Sequence, residues 1–190
     1  MSTIKDAASE FLAHKRIAVT GVSRSPKDHG SNTVFKRLRD RGYEVFAVNP
    51  NAHQVEGAHS YHDLRSIPGG VDAVVIATAP DKAEGTIREC AELGIKHVWM
   101  HRAYGQGSVS ATATAYGREH GITVIDGGCP LMFDPTADFG HKVMRVIFAS
   151  RQHIIFDGLA PGKMYTVQVR SLGGSTGQSD WSDPSSHMAT

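Results

Sequence analysis

Apolar positions along the chain switch repeatedly between two periods. Ile4, Ala7, Ala8, Phe11 and Leu12 recur at helical spacing, which predicts an amphipathic helix over Ile4–Lys15. Arg16–Thr20 (RIAVT) is a short apolar run and predicts a strand stopped by Gly21. Val34, Phe35 and Leu38 share one side of a helix over Thr33–Arg41, with Gly42 placed to end it. Glu44–Asn49 (EVFAVN) predicts a second strand, cut off by Pro50. His59–Ile67 predicts a short helical turn before Pro68, Gly69 and Gly70. Asp72–Ala77 (DAVVIA) reads as a third strand, apolar on both faces. Asp81–Leu93 reads as a helix burying Ala83, Ile87, Cys90 and Ala91, with Gly94 at its end. His97–Met100 is a fourth strand, Ser110–His120 a helix ended by Gly121, and Ile122–Ile125 a fifth strand. Asp138–Phe148 is read as a last helix, with Asp138 as its cap or first-turn acid.

Strand and helix thus alternate with short connections, and continuous Val/Ile runs mean strands covered on both faces. The expected fold class is α/β, a doubly wound parallel sheet occupying residues 1–150. Such sheets bind ligands outside the carboxyl ends of their strands, near the point where strand order reverses. The residues to weigh are therefore Gly21–Asn32, Asn49–Asn51, Thr78–Pro80, His101–Gly107 and Asp126–Phe133.

Gly21-Val22-Ser23 opens a loop that runs to the helix near Ser31, longer than the usual βα connection of about two to six residues. Gly21 lets the backbone turn without a Cβ in the way. Backbone N–H groups in such a loop and at the next helix start can face a phosphate. Ser23, Ser25, Ser31 and Asn32 offer side-chain donors, and Arg24 and Lys27 bring positive charge. The plainer alternative is a polar connection with Ser31 as helix cap; the loop's length favours phosphate. The full G-x-G-x-x-G pattern is missing, and Asn49-Pro50-Asn51 has no carboxylate where dinucleotide folds often hold a ribose. Both count against an NAD(P)-dependent oxidoreductase, the alternative from the enzyme class. Thr78-Ala79-Pro80 is small and rigid, suited to one wall of a slot for a flat base, and Pro80 also suits a helix start.

Composition narrows the partners. The chain has 190 residues, 40% hydrophobic and 21% charged, with net charge +1. No charge excess argues for nucleic acid or an anionic membrane. No apolar run suits a signal peptide or a membrane span. Two cysteines, Cys90 and Cys129, fit a reducing compartment, so a cytoplasmic location is expected. Cys129, after Gly127-Gly128 and before Pro130, stands where catalytic groups occur in α/β sheets; a buried structural thiol is the commoner case. His53, His59, His62, His101 and His141 form no metal motif, so no metal is expected; His101 is a candidate ligand contact. No catalytic set is evident.

Residues 151–190 carry a different signal. Tyr165–Ser171 (YTVQVRS) alternates strictly, as a half-buried strand does. LAPGKMY before it and WSDP after it resemble the later strands of a fibronectin type III domain, which implies Tyr165 as corner tyrosine and Leu159 in the core. Only about three of that module's seven strands are covered. A junction near Ser150 between fused pieces is one reading, and His187-Met188 then reads as a cloning scar. An exposed β segment favours pairing between subunits, hence a homo-oligomer and, as a third functional reading, a ligand-controlled interaction module.

The α/β part resembles the CoA-binding domain family, Rossmann-like relatives of the nucleotide half of the succinyl-CoA synthetase α subunit. The resemblance rests on IAVTGVSRSPKDHGSNTVFKRLRDRGYEVFAVNP, YHDLRSIPGGVDAVVIATAP, GIKHVWMH and GITVIDGGCPLMFDP, within residues 5 to 148. It implies a small-molecule nucleotide ligand, CoA or an acyl-CoA, over the strand ends. The diphosphate is implied to meet Gly21, Val22 and Ser23, with adenosine toward Asn49, Pro50, Thr78, Ala79 and Pro80. Lys27 is assigned the ribose 3′-phosphate. The synthetase's second domain, which carries its phosphorylated histidine, has no counterpart of that size here, so CoA binding is implied more strongly than any reaction.

Overall fold

A computed structural model describes residues 4–25, 30–102, 107–133, 163–167 and 185–188. The chain divides into two compact units, 1–151 and 152–190. In the first unit the elements are α1 (Ile4–Ala13), β1 (Arg16–Thr20), α2 (Gly30–Asp40), β2 (Glu44–Val48), β3 (Gln54–Val55), β4 (Ala58–Tyr61), β5 (Ala73–Ile76), α3 (Pro80–Glu92), β6 (His97–Met100), α4 (Ala111–Glu119) and β7 (Thr123–Asp126), with a short 3-10 turn at Pro130–Met132. The strands form one sheet in the order β3-β4-β2-β1-β5-β6-β7. Every pairing is parallel except β3 with β4. The expected α/β class and parallel, doubly wound sheet are what the structure shows.

Burial on both faces follows from the two-residue period of a strand. Ile17, Val19, Ala73, Val75 and Trp99 face α1 and α2, where they pack with Ala8, Phe11, Val34, Phe35 and Leu38. Ala18, Val74, Ile76, Val98 and Met100 face α3 and α4, where they meet Ala83, Ile87, Cys90 and Ala113. Trp99 meets the Phe11 ring edge-on at 5.4 Å and donates its indole N–H to the Gly127 carbonyl at 2.8 Å, so its buried polar atom is satisfied. β1 is bonded to β2 on one side and β5 on the other, so strand order reverses there. The crevice expected of such a sheet therefore opens beyond Thr20 and Ile76.

Two expectations are corrected. His59–Ile67 turns only at its end, where the Ile67 N–H donates to Leu64 O at 3.3 Å: Ala58–Tyr61 is a strand, folded back on Gln54–Val55 through a turn at Glu56 and Gly57. Ser60 and Tyr61 extend the sheet by pairing with Ala47 and Val48, and the neighbouring backbone overrides a sequence with few apolar residues. Among the described residues the sheet accordingly has seven strands where the apolar runs indicated five. Helix α2 begins at Gly30, which puts Ser31 inside its first turn and not at its cap. The helix expected at Asp138–Phe148 lies outside the described residues.

At the far edge of the sheet, the Arg118 guanidinium donates to the Asp126 carboxylate at 3.2 Å and to the Val124 carbonyl at 3.4 Å. In the second unit, β8 (Met164–Val167) pairs antiparallel with β9 (Ser185–Met188), Tyr165 opposite His187. β8 falls where alternation predicts a strand; the sequence of β9 carries no such signal.

At the amino end of β6, the rings of His14 and His97 lie 4.3 Å apart, with His14 Nε2 and His97 Nδ1 buried and without a partner. Burial, and then the neighbouring His14, hold the His97 imidazole below its ordinary pKa, while Glu10 acts in the opposite sense. The unfolded chain therefore takes up this proton more readily than the folded one, and stability is lost as pH falls through about 6.5 toward the lower folded value. Urea midpoints measured at pH 7.5 and 5.5 should show a drop that His97→Gln makes smaller.

Candidate functional site

The corner after β1 is shaped by one close approach. Gly21 has φ +73, and a Cβ there would sit 2.7 Å from the Ala77 carbonyl oxygen and 3.1 Å from Thr78 Cγ2. Both the left-handed conformation and the lack of space demand glycine. The Gly21 N–H donates to Val48 O at 3.0 Å, so this residue is tied to β2 while it touches the end of β5.

Side chains then hold the loop. Asn32, 1% exposed, accepts from the Ser23 N–H at 2.8 Å and donates to the Ser23 carbonyl at 2.8 Å. Its other amide hydrogen goes to Glu56 Oε1, also at 2.8 Å. The Ser31 hydroxyl donates to Gly21 O at 2.9 Å, and Asn49 Nδ2 donates to Val22 O at 2.8 Å. Ser23 Oγ accepts from the Ser25 N–H at 3.1 Å. Val22 is wholly buried. The sequence reading offers Ser31 and Asn32 as donors to a phosphate; the structure gives their hydrogens to protein carbonyls and to Glu56. Asn32 has two amide hydrogens, and both are used.

The opposite wall is the loop after β5. The Thr20 hydroxyl accepts from the Ala77 N–H at 3.2 Å. Thr78 Oγ1 is buried without a partner. Ala79 precedes α3 in extended conformation with no side-chain cap, and Pro80 is the first helical residue. This leaves α3 without a side-chain acceptor at its positive end. His101, buried at the carboxyl end of β6, packs on the start of α2: a Cβ on Gly30 would lie 3.0 Å from its Cε1.

Of the residues singled out in the sequence, Gly21, Val22, Ser23, Ser31, Asn32 and Asn49 are linked in one hydrogen-bonded corner, and Thr78 touches it at Gly21. Pro50 is exposed in the turn after β2, and Ala79 is exposed beside Pro80. Lys27 lies outside the described residues, as does His141. Cys129 is buried with Leu131 and Met132 and forms no disulfide; Cys90 is buried on α3, where loss of solvation pushes its thiol pKa up. His62 is exposed against Asp63, and His59 packs on Tyr61. Among the described residues no group of three or more His, Cys, Asp or Glu is arranged to hold a metal.

Glu56 is the residue that sequence reasoning missed. It lies 24 positions from Asn32, and only the β3–β4 turn carries it there. The dipeptide Glu56-Gly57 between short polar runs is a weak hairpin signal, and it is the one the sequence offers.

The sequence profile of the CoA binding domain matches residues 15–135. The chain belongs to the CoA binding domain family. The uncharacterized protein YneT of Bacillus subtilis is 34% identical over 115 residues, spanning 60% of this chain and 82% of YneT. The ADP-forming acetate–CoA ligase II subunit alpha of Pyrococcus furiosus is 37% identical over 89 residues, spanning 46% of this chain but only 19% of that subunit. The crystal structure of Prb, the PH1109 protein redesigned for binding, superposes with a TM-score of 0.62 at 27% identity, covering 68% of this chain and 87% of that one. The chain thus shares a domain with the ligase subunit while spanning about a fifth of its length.

Gly21→Ala should destabilise the fold by at least about 1–3 kcal/mol, since it adds left-handed strain to a clash with backbone. Urea unfolding of the purified variant measures this.

Proposed function

We propose that this CoA binding domain holds CoA, or an acyl-CoA, across the carboxyl ends of β1 and β5. The observation that carries the proposal is the contact at Gly21, which joins the loops after those strands where strand order reverses. Gly21, Val22 and Ser23 shape the corner, and the diphosphate lies against the loop they begin. Arg24 and Lys27 supply charge there, and Lys27 takes the ribose 3′-phosphate. The adenosine runs along Asn49 and Pro50 toward Thr78, Ala79 and Pro80, where the unpartnered Thr78 hydroxyl gives it a polar contact. The proposal is of a binding protein and assigns no reaction. A cytoplasmic setting suits CoA and the two buried thiols. Among the described residues no helix is long and apolar enough to cross a membrane.

Titration calorimetry with CoA, acetyl-CoA, NADH and ATP tests this. CoA or acetyl-CoA should bind with the greatest affinity. Tighter binding of NADH would transfer the site to the oxidoreductase reading, and no binding of any adenine compound at millimolar concentration would remove the proposal.

For residues 152–190 we propose a partial fibronectin type III-like module that pairs copies of the chain. The support is the antiparallel β8–β9 ladder with Tyr165 within it. Light scattering should give a multiple of the 20.5 kDa chain mass for the full chain and a single-chain mass for residues 1–151; a single-chain mass for both would remove this role.

A further inference from the structure

The turn that brings Glu56 to the corner is costly in itself. Glu56 has φ +47 and is the one described residue other than glycine with positive φ. Gly57 follows at φ +72. Two-residue turns of this hand favour Asn, Asp or Gly at the first place, because longer side chains crowd the backbone there. Strain kept at one residue calls for a reason in what that residue does.

Its side chain reaches helix α2. Glu56 Oε1 lies 2.8 Å from Asn32 Nδ2 and 3.5 Å from Lys36 Nζ, and its main-chain carbonyl accepts from Arg39 Nη1 at 3.2 Å. The bond from Asn32, helped by Lys36 against the effect of burial, holds the carboxyl below the usual carboxylate range. It is therefore ionised at neutral pH and accepts only. An ionised carboxylate reinforces the way the Asn32 amide faces Ser23. With Nδ2 toward Glu56, Oδ1 is left to receive the Ser23 N–H. The flipped amide would set Oδ1 against two acceptors, Glu56 Oε1 and the Ser23 carbonyl, and its NH2 group against the Ser23 N–H. The same amide also donates to the Ser23 carbonyl, so the peptide groups on both sides of Ser23 depend on its orientation.

We propose that Glu56 is a positioning residue for the CoA site: through Asn32 it fixes the backbone at Ser23 in the form that receives the diphosphate. This rests on the CoA reading of the site. Glu56 itself touches no ligand; its charge is answered by Lys36, so a carboxylate near an anion site costs little attraction.

The test compares Glu56→Ala, Glu56→Gln, Asn32→Ala and the Glu56→Ala/Asn32→Ala pair by calorimetry with CoA. Hydrogen exchange at the Ser23 amide is followed in the ligand-free protein. Glu56→Ala should weaken CoA binding about tenfold, as loss of one bond to a charged group would, and should speed Ser23 exchange. Glu56→Gln keeps a carbonyl oxygen at the same reach and should restore both readouts to within about twofold of the wild type. Adding Glu56→Ala to Asn32→Ala should cost nothing further, because the acid acts through the amide. Unchanged affinity and exchange in Glu56→Ala, a Gln variant as impaired as the Ala variant, or losses that simply add would overturn the proposal. Should Glu56→Ala not fold, Glu56→Asp, which keeps the charge and shortens the reach, takes its place with the same expected losses. If the wild type itself does not bind CoA, the ligand reading fails alone, and the Ser23 exchange rates still decide the link between Glu56 and Asn32.

Discussion

No side-chain atom fits between the end of β1 and the Ala77 carbonyl. That single tight passage sets the geometry of the site. It brings the loops after β1 and β5 into contact at the place where the strand order turns round. The Gly21 N–H, bonded to Val48, adds β2 to the same junction. Three strand ends thus meet on one glycine, and the side chains of Ser31, Asn32 and Asn49 complete the corner by bonding the carbonyls of Gly21, Ser23 and Val22. Buried main-chain groups need such partners, and here they come from residues that a sequence reading would give to a ligand.

The sheet was legible where burial alone decides it. β1, β5 and β6 are runs of Val, Ile, Ala, Trp and Met covered on both faces, and no other element type suits them. β3 and β4 were not legible, because Ser60 and Tyr61 become a strand by bonding to Ala47 and Val48 and not through their own apolar content. The corner divides in the same way. Gly21, Ser23, Asn32 and Asn49 could be named from their positions after strands. Which atoms their side chains meet could not, since the partner of Asn32 comes from a turn 24 residues away.

β6 has a histidine just beyond or at each end, and the two do different things. His97, its first residue, lies tilted against the His14 ring, where burial disfavours charge. His101, one residue past its last, lies against Gly30 and so braces the start of α2 next to the corner. One acid-sensitive contact of the fold thus sits at the end of the sheet opposite the site.

Among the described residues β7 is the outermost strand on its side, and the Thr123 N–H is bonded inward to Lys96, so the Val124 carbonyl points outward. The Arg118 guanidinium sits on that carbonyl. A foreign backbone coming alongside would have to displace a cation that Asp126 also holds in place. Among the described residues, the outward carbonyl of this edge is thus guarded by a single arginine.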